Sequence, residues 1–265
     1  MESRSISRRK HFVLVHGLCH GAWCWYKLIP LLRKFGHKVT ALDLGGCGIH
    51  PKNVEEISSF FDYTKPLLDF MDSLPQEERV VLVSHSFSGL CISLAMQNFP
   101  QKISVAVFIS AYMPKFNDPP ANLILEFFKR SEAKSFMDCK FTFNGGVGNL
   151  PKSVTLGPDY IASIMYQQCQ IEDIELAKML MRPSGLFVEE MSKEFLLSEE
   201  KYGSVRRVYV VCEGDQVMEE EFQSFLINNS PPQQVKSIKE AGHMVMLSKA
   251  QEICVCLQEI AEDYR

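Results

Sequence analysis

Six short apolar runs, mostly spaced by longer amphipathic stretches, are the feature that most narrows what this chain can become. The runs fall at 11–15 (HFVLV), 38–44 (KVTALDL), 80–83 (VVLV), 105–110 (VAVFIS), 207–212 (RVYVVC) and 235–238 (VKSI). Most are continuously apolar rather than alternating, which is the pattern of parallel strands covered on both faces. Helical spacing fills 26–35, 57–74, 89–98, 219–228 and 249–264. Strand–helix alternation over 265 residues predicts a doubly wound α/β core around a mostly parallel sheet. A chain of this length buries a large core without disulfides or metals.

The rhythm breaks between 113 and 182, where Phe116, Phe127, Phe128, Phe136, Phe141, Phe143, Tyr160 and Tyr166 appear with Met137, Met165, Met179 and Met181. Turn formers mark both ends, with Pro114, Pro119 and Pro120 at the start and Pro183 at the close. The expectation is a mostly helical cap over a pocket, inserted in a core made of 11–112 and 183–265. Residues 1–10 read as a flexible basic tail. They hold Arg4, Arg8, Arg9 and Lys10 but lack the apolar stretch that a secretory signal needs.

Composition excludes several classes. Lys and Arg total 28 against 32 Asp and Glu, a net charge of −4, so nothing electrostatic favours nucleic acid or an anionic membrane as partner. No apolar run approaches the roughly 20 residues needed to span a bilayer. The nine cysteines include no C-x-x-C pair and read as reduced thiols in a cytoplasmic protein. His16, Cys19, His20 and Cys24 crowd together, yet no second ligand pair follows at zinc-finger spacing, so no metal is expected.

The third apolar run leads into Ser84-His85-Ser86-Phe87-Ser88-Gly89, with a helical pattern directly after. A serine on a sharp strand-to-helix turn stands clear of the sheet as a nucleophile, and the turn needs small residues two before and two after it. The usual G-x-S-x-G has serines here, Ser84 and Ser88, in place of both glycines. A serine hydroxyl needs a base with a pKa near the working pH, and an acid to orient that base. In this kind of fold the order is Ser, then Asp or Glu, then His. His243 is the only histidine beyond Ser86 and sits in a loop after the 235–238 run. Asp215 is the leading acid, at the end of 207–212, with Glu213 its competitor; Asp173 reads as a surface group of the cap. The oxyanion formed by serine attack needs two backbone N–H donors. Phe87, after the nucleophile, and Leu18, in the glycine-flanked loop Gly17 to Gly21, fit that need.

Motifs along nearly the whole chain (HFVLVHGLCHGAWCWYKLIPLL, GHKVTALDL, SHSFSG, ISVAVFISAYMP, ELAKMLMRPSGLF, YGSVRRVYVVC, EAGHMVML) resemble the plant methylesterase and hydroxynitrile lyase branch of the α/β-hydrolase family. The resemblance implies Ser86, Asp215 and His243 as catalytic triad. It implies an apolar substrate site drawing on Gly17, His85, Tyr112, Phe128, Phe136, Leu180 and Met244, with no cofactor. The implied substrate is a small methyl ester of a plant hormone or of an alkaloid, the latter acid decarboxylating once freed. A homodimer stays open as the assembly.

The lyases of the branch carry threonine, lysine and glutamate where this chain has Gly17, Met244 and His85. All three positions fall on the esterase side. A cyanohydrin lyase and a slow-turnover ligand receptor remain the alternatives. Gly242 stands where relatives usually have aspartate, and Phe136 where some salicylate esterases have tryptophan.

Overall fold

A computed structural model describes residues 9–131, 136–143, 150–193 and 197–264. Strands β1 (His11–Val15), β2 (Lys38–Leu42), β3 (Val80–Ser86) and β4 (Ile103–Ala111) precede the inserted segment. That segment contributes β5 (Lys140–Phe143), β6 (Pro151–Thr155) and β7 (Ser184–Gly185), after which β8 (Arg207–Cys212) and β9 (Gln234–Ile238) complete the core. The main sheet runs β2-β1-β3-β4-β8-β9, parallel at every pairing.

The continuous apolar runs are explained by where alternate residues go. Phe12, Leu14, Val81, Val83, Val105, Val107, Val208 and Val210 face one hydrophobic cluster with the helices Leu28–Lys34 and Ala250–Asp263. Val13, Val15, Val80, Leu82, Ala106, Phe108, Tyr209 and Val211 face the other, with Phe60–Ser73 and Ser88–Asn98. Both faces are dry along β1, β3, β4 and β8, so both periods of these strands are apolar, while the edge strands β2 and β9 are partly exposed and carry polar residues.

Several boundaries differ from the sequence expectation for visible reasons. β2 ends at Leu42 rather than 44, because Asp43 turns its carboxylate to accept the Ala22 N–H at 2.7 Å and the Ile49 N–H at 3.3 Å. β3 runs past Val83 to Ser86 and so delivers the serine directly. The helix Phe60–Ser73 begins where Ser59 Oγ accepts the Asp62 N–H at 2.9 Å, a side-chain N-cap. Lys10 is not part of a loose tail: its N–H reaches His37 Nδ1 and its ammonium reaches the Tyr264 carbonyl. Residues 1–8 lie outside the described residues.

The inserted segment is mixed rather than mostly helical. It has the helices Ala121–Arg130 and Ile171–Leu180, but also the antiparallel sheet β5-β6-β7, whose last strand lies beyond 182. Of β6 only Val154 is buried, so backbone pairing holds it and no apolar period announces it, while β5 is too short for its alternation to signal a strand. Asp173 is likewise no surface group. Its carboxylate is 1% exposed and takes the Lys27 ammonium and the Tyr26 hydroxyl, each at 2.6 Å, tying this segment to the core.

Candidate active site

Ser86 closes β3 with φ +56°, a left-handed conformation costly for any residue with a Cβ. The helix Ser88–Asn98 follows at once, and a Cβ on Gly89 would lie 2.0 Å from the Tyr112 carbonyl oxygen. Only glycine fits there. The two serines that replace the usual glycines are accommodated through their hydroxyls. Ser84 Oγ donates to the Val107 carbonyl at 3.2 Å. Ser88 Oγ accepts the His85 N–H at 3.1 Å and directs its proton toward the carbonyls of Val15 at 2.8 Å and His85 at 2.9 Å. Ser88 thereby staples the elbow to the end of β1.

His243 and Asp215 meet as the sequence order requires. His243 Nδ1 lies 2.7 Å from Asp215 Oδ2, with both side chains buried. The same carboxylate takes the N–H groups of Val217 and Met218, at 2.7 and 2.9 Å, on Oδ1, and the Ser110 hydroxyl at 2.5 Å on Oδ2. Four partners fix its plane. Glu213 makes no such contact with His243. Ser110 had no marker in the sequence; it comes to Asp215 from the end of β4, the neighbour of β8.

Ser86, His243, Leu18 and Phe87 line one cavity of about 690 Å³ including its mouth. Ser86 Oγ has no hydrogen-bond partner among the described residues, and the same holds for the N–H groups of Leu18 and Phe87. Nucleophile–base contacts are commonly long before substrate arrives and tighten around it. Gly17 forms the floor beside them: a Cβ there would lie 3.0 Å from Ser86 Cβ and 3.2 Å from His85 Nδ1.

His85 donates from Nε2 to the His243 carbonyl at 2.8 Å, so its unpartnered Nδ1 carries the lone pair. Burial, then the neighbouring His243, pushes its pKa well below the imidazole range. Burial also pushes His20 down to about 3 and lowers His16. These rings are neutral. His16, Cys19 and His20 spend their polar atoms on protein partners, and among the described residues no group of three or more His, Cys, Asp or Glu is placed to hold a metal ion.

Of the expected pocket residues, Gly17, His85, Tyr112, Phe128 and Phe136 line the cavity. Leu180 and Met244 do not, and both assignments are corrected. Leu180 is 39% exposed at the end of its helix, while Met244 turns into the cluster behind the sheet and is 1% exposed. Phe127, Phe141, Tyr160 and Met165 belong to the wall as well, and only their membership of an aromatic- and Met-rich segment pointed to them. Among the described residues no Asp, Glu, Lys or Arg lines the cavity. Gly242 and Gly214 both face the amide of Gln168 from the inserted segment, at 3.2 and 2.9 Å from where their Cβ atoms would lie.

A match to the Alpha/beta hydrolase family extends over residues 12–254. The chain belongs to that family. It is 51% identical to methylesterase 10 of Arabidopsis thaliana, covering 96% of this chain and 92% of that one. Methyl jasmonate esterase 1 of Vitis vinifera is 48% identical over 97% of this chain and 98% of its own. The crystal structure of polyneuridine aldehyde esterase superposes with a TM-score of 0.91 at 47% identity, covering 96% of this chain and all (100%) of that one. The resemblance read from the motifs therefore holds over almost the full length.

Proposed function

We propose that this protein is a serine carboxylesterase that hydrolyses the methyl ester of a small, uncharged carboxylic acid through an acyl-Ser86 intermediate. The observation that carries the reading is the 2.7 Å contact between His243 Nδ1 and Asp215 Oδ2, beside a cavity that His243 shares with Ser86. His243 takes the Ser86 proton as the hydroxyl attacks the ester carbonyl, and the N–H groups of Leu18 and Phe87 receive the oxyanion. His243 returns the proton to departing methanol. Water then repeats the sequence on the acyl-enzyme and frees the acid. Asp215 holds the imidazole tautomer and stabilises its charged form without itself taking the proton.

The uncharged wall supports a neutral acyl group. An ammonium or second carboxylate buried there would lack a counter-charge, a cost of several kcal/mol. Tyr112 and Tyr160 offer phenol donors for an oxygen on the acyl part. Where that oxygen is a carbonyl β to the ester, the freed acid loses carbon dioxide unaided. The lyase reading lacks its cation, since Met244 faces away and no lysine lines the described wall. The deciding experiment is turnover on a panel of methyl esters. Methanol release by the wild type that Ser86→Ala abolishes supports the esterase. Tight binding without Ser86-dependent turnover points to a receptor, and cyanide release from an aromatic cyanohydrin to a lyase.

A further inference from the structure

Two histidines clamp the oxyanion loop, and they are anchored in different parts of the molecule. The Gly17 carbonyl accepts from His16 Nδ1 at 2.8 Å, while the Leu44 N–H donates to His16 Nε2 at 3.1 Å. That clamp belongs wholly to the core. The Leu18 carbonyl accepts from His20 Nδ1 at 2.6 Å, and His20 Nε2 lies 2.8 Å from the Tyr166 hydroxyl. Tyr166 is fully buried and comes from the inserted segment, where it ends the helical turn Ile161–Met165. The His20 ring also lies near-parallel to the rings of Trp23 and Tyr166, with centroids 5.4 and 5.9 Å away.

The directions of these bonds follow from chemistry. A carbonyl only accepts, so Nδ1 carries the proton in both rings. A neutral ring then has a lone pair on Nε2, and Tyr166 must be the donor to His20. In a trans peptide the N–H points opposite the preceding carbonyl. The Leu18 N–H shares its peptide plane with the Gly17 carbonyl that His16 holds, while the Leu18 carbonyl held by His20 fixes the next plane, so the two clamps together limit how Leu18 can turn. Cys19, at φ +64°, completes the tight turn, which the His20 N–H closes on the Gly17 carbonyl at 3.4 Å.

On the esterase reading of Ser86, we infer that His20 and Tyr166 are positioning residues for the oxyanion: by fixing the peptide that follows Leu18, they let the inserted segment restrain the loop that presents the Leu18 N–H. His20 also lines the cavity, so a seated acyl group packs on the same ring. Substrate enclosure and oxyanion geometry thus share one side chain.

The test compares Tyr166→Phe, which removes only the donor, with His20→Leu and His20→Asn. Misaiming an oxyanion donor lowers kcat by about 10-fold in Tyr166→Phe, with KM within about twofold, and by about 10²-fold in His20→Leu, where the lost cavity ring also raises KM. In Tyr166→Phe the affinity for a trifluoromethyl ketone, whose hemiketal on Ser86 mimics the oxyanion, falls by the same factor, while inhibition by product acid stays put. His20→Asn, which still presents an amide N–H toward the Leu18 carbonyl, recovers part of the His20→Leu loss. Wild-type kcat and ketone affinity in Tyr166→Phe, with turnover still dependent on Ser86, overturn the inference. Loss of the Ser86 dependence itself sinks the esterase reading instead. Independently of turnover, the Leu18 amide resonance in ¹H–¹⁵N spectra shifts in Tyr166→Phe; an unmoved resonance also overturns the inference.

Discussion

The core and the inserted segment build the same cavity by opposite means. Core residues at the site are saturated with specific hydrogen bonds: Asp215 has four partners, and Ser88 and His16 tie separate strands together. The inserted segment supplies mostly aromatic surface. Phe127, Phe128, Phe136 and Phe141 pack edge-on or tilted against one another, with ring centroids 5.3–6.3 Å apart. Bond-saturated groups hold one geometry; apolar rings hold a volume and adapt to its occupant. The core should therefore govern rate and the segment should govern selectivity, with Tyr166 and His20 the place where the two meet.

That division can be broken at its strongest point first. Asp215→Asn keeps the shape of the acid but puts a donor amide where an acceptor oxygen stood, leaving His243 in the wrong tautomer. It should lower kcat by about 10⁴-fold with KM little changed. Steady-state kinetics check this, and a loss confined to KM would break the assignment of rate to the core.

Acid stability comes next. His16, His20 and His85 are buried and neutral, with folded pKa values lowered by burial. Below the ordinary 6.5 the unfolded chain takes up protons that the folded chain refuses, so their stability is present above 6.5 and lost on acidification. For His20 the window runs from 6.5 down to about 3. Each such ring contributes a slope of about 1.4 kcal/mol per pH unit within its window. Urea midpoints between pH 7 and 5 should fall less steeply in His20→Asn than in wild type; equal slopes would show that His20 titrates normally when folded.

The smallest effect belongs to the segment. Phe128→Ala removes one ring from the apolar wall and should raise KM about 10-fold while leaving kcat within about twofold. A fall in kcat with unchanged KM would reverse the roles of the two regions.

The same contrast explains what the sequence revealed. β1, β3, β4 and β8 are buried on both faces, so their composition is dictated and legible. Ser86, Asp215 and His243 could be located because the fold fixes their order and only one histidine follows the serine. β5 and β6 left no trace, since KFTF and PKSVT pair through backbone and bury little. Ser110 and Gln168 were equally silent: each matters through a neighbour brought close by packing, and no spacing rule encodes that. Met244 misled because adjacency to His243 along the chain does not say which side of the sheet a residue faces, and Leu180 because a resemblance does not say which side of its helix meets the cavity.

On this reading His243 is what makes the Ser86 hydroxyl reactive. Labelling with an alkyl fluorophosphonate, followed by peptide mapping, probes that reactivity. One equivalent of phosphonate is expected on the peptide containing Ser86, with the rate collapsing in His243→Ala while the fold stays intact. Label on another residue, or an undiminished rate without the imidazole, would show that His243 does not activate Ser86.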